Sequence, residues 1–253
     1  MLEDCYRDWN AKTDFQIYNG VFTKMFKRDT TLAWDKKPDP FSTKMIENQI
    51  KGFQYQLLFN KVRRMEDERV EFGNLPFFVD MFYFYVYMRG HVPSPEDFIR
   101  WYILLNFKRK DSCIVVYNGR EYPLDSVGKR ALNGYASLIR DFHFYYLCKE
   151  CGRFEDVKYS LVDDKNGKDV IVQYNGDKYF VHLFVKTRRS SDFRDIKNWR
   201  HTFVGNHIDV PIDFRDCNVC GDFFLYSGQD AYELSKKIQQ MSAGSNNCQR
   251  AAA

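Results

Sequence analysis

Val170-Ile171-Val172-Gln173-Tyr174-Asn175-Gly176-Asp177-Lys178-Tyr179-Phe180-Val181-His182-Leu183-Phe184-Val185 is the stretch on which the reading of this chain turns. Two runs rich in β-branched and aromatic residues flank Asn175-Gly176, and such runs suit a pleated, half-buried surface. An Asn-Gly pair between them is the strongest short hairpin signal, because a type I′ turn needs positive φ at both central residues.

Outward from the hairpin, the elements alternate. On the N-terminal side, Val157 to Val162 reads as a third short strand, joined to the hairpin by a turn at Asp163-Asp164-Lys165-Asn166-Gly167. Before it, Leu138, Ile139, Phe142, Tyr145 and Tyr146 fall on one helical face, and Gly152 is placed to end that helix. On the C-terminal side, Asp192 to His201 is polar and helical in pattern, with Ser190 or Ser191 as N-cap. Ile208 to Ile212 and Phe223 to Tyr226 read as strands. The order is helix, three strands, helix, strand, with one strand more.

The N-terminal half has a different texture. Lys44 to Glu68 is amphipathic, with Met45, Ile46, Ile50, Phe53, Leu57 and Val62 near helical spacing. Phe77 to Met88 is crowded with rings, and Gly90 breaks it. Ser94-Pro95-Glu96-Asp97 opens another helix, with Ser94 as N-cap and Pro95 at the first position. The two helices around Gly90 have the outline of a helix-turn-helix. The second carries few basic residues, so packing on each other as core is the favoured reading. Residues 112–124 form a second hairpin around Asn118-Gly119. The expected class is therefore α+β: a mostly helical region over 1–130, a mixed-sheet αβββαβ core over 131–241, and a disordered tail over 242–253.

The chain has 253 residues and 44% hydrophobic content, ample for a packed core. Its net charge of +4 permits an anionic partner without demanding one. No stretch approaches eighteen uncharged apolar residues, so no membrane span is expected. The start, Met1-Leu2-Glu3-Asp4-Cys5, lacks the basic-then-apolar pattern of an export signal, and a cytoplasmic address is the expectation.

Four of the seven cysteines form Cys148-Lys149-Glu150-Cys151-Gly152 and Cys217-Asn218-Val219-Cys220-Gly221. Two-residue spacing lets both thiolates of a pair bind one tetrahedral metal, and a following glycine lets backbone amides turn toward sulfur. A structural four-sulfur zinc site is one reading; two sets of buried or half-exposed thiols is the other. A basic cluster follows the hairpin: Lys186, Arg188, Arg189, Arg194, Lys197, Arg200 and His201. With Phe193 and Trp199 interleaved, it suits contact with nucleic-acid phosphates and unstacked bases, although a solvated helix face has the same composition.

The αβββαβ order over Ser137 to Ile212 resembles the core of the PD-(D/E)XK nuclease superfamily, the restriction-endonuclease-like fold. The resemblance implies a partner, nucleic acid and DNA foremost, and magnesium-dependent hydrolysis of phosphodiesters. It implies an acid at the start of the second core strand and an acid-x-lysine on the third. Asp169 stands at the first place as a magnesium ligand, and Glu150 stands where many members carry a helical acid. His182-Leu183-Phe184 occupies the place of the acid-x-lysine. His182, as ligand or base, and Lys186, by strand alternation, are the substitutes. Gln173 is placed toward the same edge. Plain structural roles remain open beside these: a turn cap for Asp169, a hydrogen-bonded histidine, a solvated Glu150. On those terms the chain is a non-catalytic, zinc-stabilised module that binds nucleic acid, or a protein through its aromatic N-terminal half.

Overall fold

The computed structural model describes residues 41–62, 67–159, 168–186 and 205–251. These form a mixed α+β protein with seven helices and three sheets among the described residues. The chain divides into two compact units. One holds Ile46–Ile139 and Gly221–Phe223; the other holds the described parts of Ala33–Met45 and Arg140–Cys220, with Phe224–Ala253.

The first unit is built from α1 (Thr43–Ile50) from Ile46 onward, its first three residues belonging to the second unit, and from α2 (Tyr55–Val62), α3 (Glu68–Glu71), α4 (Phe78–Arg89) and α5 (Pro95–Asn106). The periodicity of Lys44 to Glu68 suggests one long helix. The structure breaks it into α1 and α2 at Lys51–Gln54, where Gly52 lowers the helical preference. α4 ends at Gly90 with φ of 70°, the left-handed turn that glycine adopts without strain. Ser94 caps α5, its Oγ accepting the Asp97 amide at 3.1 Å.

The rings of α4 and α5 form a core. Phe98 is fully buried, with its ring near those of Phe78, Phe82 and Tyr135. On α5, Phe98, Ile99, Trp101, Tyr102 and Ile103 are all buried. A helix spent this fully on packing has no free face to read a groove, which fits the core reading of the helix pair. Phe82, Tyr83, Phe84 and Tyr85 are also buried, whereas Phe72 and Phe77 of the same aromatic half are exposed. Strands β1 (Lys108–Arg109), β2 (Ile114–Tyr117) and β3 (Arg120–Pro123) make a small antiparallel sheet. Its turn is Asn118-Gly119, with φ of 49° and 76°.

Helix α6 (Leu124–Glu150) starts thirteen residues before the apolar face that sequence patterning picks out at Ser137. Gly134 weakens the helical pattern there, yet the bare backbone has a use. A Cβ at that position would stand 2.7 Å from the Phe78 ring. The first unit also takes in Phe223, which is 2% exposed and has its ring 5.3 Å from that of Tyr55.

In the second unit, β4 (Asp156–Lys158), β5 (Val170–Tyr174), β6 (Asp177–Val185) and β7 (Asn206–Ile212) form one four-stranded sheet in that order. The first three run antiparallel, and β7 is parallel to β6. The β5–β6 turn is Asn175-Gly176, with φ of 51° and 79°. Alternation sorts the two faces. Val170, Val172, Tyr179, Val181, Ile208, Val210 and Ile212 are buried on one side. Phe142, Phe144 and Tyr226 are buried in the same unit, and the Phe144 and Tyr226 rings lie 4.6 Å apart.

The strand expected over Phe223 to Tyr226 is present as β9 (Phe223–Leu225). It pairs with β8 (Asn218–Cys220) rather than with the main sheet. Helix α7 (Gly228–Ala251) runs through most of the stretch whose small, polar composition reads as a tail. Ala231, Leu234, Ser235, Ile238 and Ser242 are buried at helical spacing, which carries the helix past residue 242. Among the described residues no helix is long and apolar enough to cross a membrane.

Candidate functional site

The second strand of the main sheet begins beside Asp169. This carboxylate is only 8% exposed. Its backbone amide donates to the Val181 carbonyl at 3.0 Å, and its Oδ2 accepts the Leu183 amide at 2.6 Å. The carboxylate is thereby held between Val181 and Leu183, next to His182. An amide-to-carboxylate bond of this length is the strong, charge-assisted kind. It fixes the start of β5 against the middle of β6. Sequence reading left a turn cap or a metal ligand open for Asp169; its acceptor role lies across the strand pair.

His182 is on the face opposite Val181. Its Nε2 lies 2.8 Å from Nδ1 of His207 on β7. The ring planes differ by 12° and the ring centroids are 5.1 Å apart. That separation equals the N···N distance extended by the two ring radii, so the rings lie edge to edge on one line. Phe180 sits on the same face, 5.1 Å from the His207 ring, with Lys168 Nζ 4.2 Å from the Phe180 centroid. The parallel register sets Asp209 opposite His182. His207 and Asp209 escaped the sequence reading. Alternation over Asn206 to Ile212 does put both on one strand face. Nothing local says that this strand lies beside β6.

The remaining candidates are placed apart from this group. Gln173 pairs with Lys178 near the hairpin turn, four residues from Asp169 along the chain, or about 13 Å at strand rise. Lys186 is exposed just past β6, its amide donating to the Ile212 carbonyl at 3.1 Å. Asp213 follows β7. Hydrogen bonds from the Arg215 side chain and amide hold its carboxyl well below the usual carboxylate range, and the Lys186 charge adds to this. Glu150, the last residue of α6, accepts the Thr43 amide at 2.8 Å and the Thr43 hydroxyl at 2.6 Å. Both of its oxygens are engaged at the first turn of α1, where the helix presents unsatisfied donors. Arg188, Arg189, Arg194, Lys197, Arg200 and His201 lie outside the described residues, as do the helix expected over Asp192 to His201 and the turn at Asp163 to Gly167.

Metal chemistry can be tested against these donors. Among the described residues no three His, Cys, Asp or Glu side chains are gathered as metal ligands. Magnesium is held by hard oxygen ligands. With Glu150 committed to Thr43, Asp169 is the expected acid that stays beside His182, and Asp209, opposite His182 in register, is a second carboxylate of β5–β7.

The cysteine pairs have the backbone expected of knuckles, since Gly152 and Gly221 take φ of 62° and 56°. The sulfurs are engaged differently. Cys151 Sγ donates to the Cys148 carbonyl at 3.1 Å, and Cys217 Sγ to the Phe214 carbonyl at 3.2 Å. Cys148 is 1% exposed, and burial pushes its thiol well above the ordinary value.

Comparison with protein-family models, with curated proteins and with solved structures returns no match.

Proposed function

We propose that this chain acts on nucleic acid, with the β5–β6–β7 face as its phosphodiester site and the PD-(D/E)XK-like core as its framework. One observation carries the reading: the buried Asp169 carboxylate is fixed beside His182, across the strand pair where the resemblance expects its reacting groups. Strand order alone assigns no activity. In this reading Asp169 supplies negative charge, His182 handles the proton, and Lys186 with the Arg188 to Arg200 cluster engages phosphates.

A second reading keeps nucleic-acid binding and drops the chemistry. It is favoured by Glu150, whose carboxylate is spent on Thr43, and by the lack of an acid-x-lysine on β6.

One assay separates the two. Single- and double-stranded DNA and RNA are incubated with the protein in magnesium, in manganese and in chelator, beside Asp169→Asn. The carboxamide oxygen that this substitution introduces still accepts the Leu183 amide, so the variant removes charge with least harm to the fold. Cleavage that falls at least about 100-fold in the variant supports hydrolysis, this being the usual scale for one proton-transfer or charged group. Binding without cleavage under every condition leaves the second reading. No binding, with no cleavage, sinks both.

A further inference from the structure

The pair Asn-Gly occurs five times in the chain, and three of the five fall on described residues: Asn118-Gly119, Asn133-Gly134 and Asn175-Gly176. Asparagine is a chemically labile side chain. With glycine next, the following backbone nitrogen meets least obstruction in reaching the side-chain carbonyl carbon, because glycine has no Cβ and bends freely. In a folded chain two things decide whether it does so: what holds the glycine amide, and how firmly the turn is held.

Asn118-Gly119 and Asn175-Gly176 are the same turn made twice. Their φ angles are 49° and 76° in one, 51° and 79° in the other, and all four residues are exposed. Their hydrogen bonds differ. The Gly176 amide donates to Oε2 of Glu155 at 3.1 Å, and Asn175 Nδ2 lies 3.5 Å from the Ser242 Oγ. Glu155 is itself fixed, its amide donating to the Gln173 carbonyl at 2.9 Å. Asn133-Gly134 lies inside α6, and Asn133 Nδ2 donates to Oε1 of Glu71 at 2.9 Å. Among the described residues, no group accepts the Gly119 amide and none bonds the Asn118 carboxamide. The strands differ too. β5–β6 has β4 on one side and β7 on the other, whereas β2–β3 is flanked only by the two residues of β1. The tip at Asn118 is therefore the one that bends more readily.

We propose that Asn118 is a site of self-modification, in which the turn converts to aspartate and isoaspartate while Asn133 and Asn175 are protected. The Gly119 nitrogen gives its proton to solvent and bonds to the side-chain carbonyl carbon of Asn118. The carbon–nitrogen bond of the carboxamide breaks, and ammonia leaves after taking a proton from solvent. Water then opens the cyclic imide at either carbonyl. One opening gives aspartate; the other gives isoaspartate, in which the chain runs through the former side chain. The sum of the steps is water in and ammonia out, with no oxidant or reductant. At Gly176 a carboxylate accepts the amide proton, which favours the neutral nitrogen over the anion that must attack. Either product places a new negative charge in the turn beside Arg120, on a strand pair whose neighbour β1 carries Lys108 and Arg109. Isoaspartate also lengthens the backbone between Tyr117 and Arg120, which face each other across the turn. The small sheet thus changes charge and shape as the protein ages, whatever the β5–β6–β7 face does.

The test keeps the full-length protein folded in mildly alkaline buffer for days and maps its peptides by mass at intervals. The peptide with Asn118 should gain the mass of amide-to-acid exchange about 10-fold faster than those with Asn133 and Asn175, the scale of one hydrogen bond to a charged group. It should also split into two products of equal mass, aspartate and isoaspartate. Equal rates at the three positions, or Asn175 ahead of Asn118, overturn the proposal. The same protein unfolded in guanidinium chloride is the control. There the Asn118 and Asn175 rates should converge; a difference as large as in the folded protein assigns the effect to neighbouring sequence and overturns the structural account. Glu155→Ala removes the acceptor at Gly176 and should raise the Asn175 rate several-fold with the Asn118 rate unchanged. An Asn175 rate that stays at the wild-type value in this variant shows that Glu155 does not protect it and overturns that part. The wild-type rates and the unfolded control need no variant, so a poorly folded Glu155→Ala leaves both standing.

Discussion

The two units use aromatic and polar residues in opposite ways. In the first, rings are packed on rings. Phe98, Tyr102 and Tyr135 are fully buried, and the hydroxyls of the two tyrosines donate to the carbonyls of Pro76 and Pro93. In the second, one face of a four-stranded sheet is closed by Val170, Val172, Val181 and Ile208, while the other carries His182, His207 and Asp209. The buried rings of the first unit are engaged mainly with one another, although Phe72 and Phe77 of the same unit are exposed. Among the described residues the apolar closure falls on one face, and alternation sets the titratable residues on the other. The buried aromatics therefore point to stability, and the titratable groups on β6 and β7 are the ones on which the proposed function rests.

That contrast can be broken by experiment. The largest effect should come from Phe98→Ala, at about 3–5 kcal/mol of unfolding free energy, because a fully buried ring leaves a cavity. Phe180→Ala, on the half-buried face of β6, should cost clearly less. Urea unfolding midpoints at constant slope measure both, and equal losses would erase the distinction between the packed unit and the one-sided sheet.

A smaller effect is expected from Glu150→Ala, about 0.5–2 kcal/mol, the range for losing a helix-terminus acceptor. The same variant should leave nucleic-acid cleavage or binding unchanged. A loss of activity beyond the loss of folded protein would restore Glu150 as a functional acid.

The smallest effect concerns a clasp that both units share. Asp67 and Arg69, and Asp213 and Arg215, are joined by the same bidentate side-chain pair at a separation of two residues. In each, the arginine holds the aspartate carboxyl below its ordinary value. A lowered folded value means that the stabilisation is present above the ordinary aspartate value near 3.9 and is lost as pH falls through the folded one. Asp213→Asn should therefore lower the melting temperature slightly and equally from about pH 5 to 8, and the difference from wild type should vanish in stronger acid. The pair is exposed to water, and added salt should shrink the effect. A difference that grows toward low pH would reverse this sign.

Local signals carried far in this sequence. Asn118-Gly119, Asn175-Gly176, Gly90 and the Ser94 cap each state a backbone requirement within a few residues, and the structure meets all four. Asp169 was legible as the residue that opens β5. His207 was not, because its role depends on β7 lying parallel to β6 across an intervening stretch of about twenty residues, and register between distant strands leaves no local trace. Glu150 shows the reverse case. Its position in the helix suggested a ligand, and only the arrival of Thr43, 107 residues away in sequence, shows what its carboxylate holds. The cysteine pairs had the right spacing and the right glycines. Spacing could not report that Cys148 is buried, and that burial pushes its thiol above the ordinary value.

The small segment Gly221–Phe223 bears on how the protein is made. It belongs to the first unit, where Phe223 lies against Tyr55 and Tyr135 and Asp222 accepts the Gln56 amide at 2.8 Å. A ribosome releases Tyr135 and Phe223 on the order of ten seconds apart. During that interval the first unit lacks a ring of its own core, although nearly all of its other residues have been synthesised. Its completion must wait for most of the second unit to emerge, so the two cannot mature in simple succession along the nascent chain.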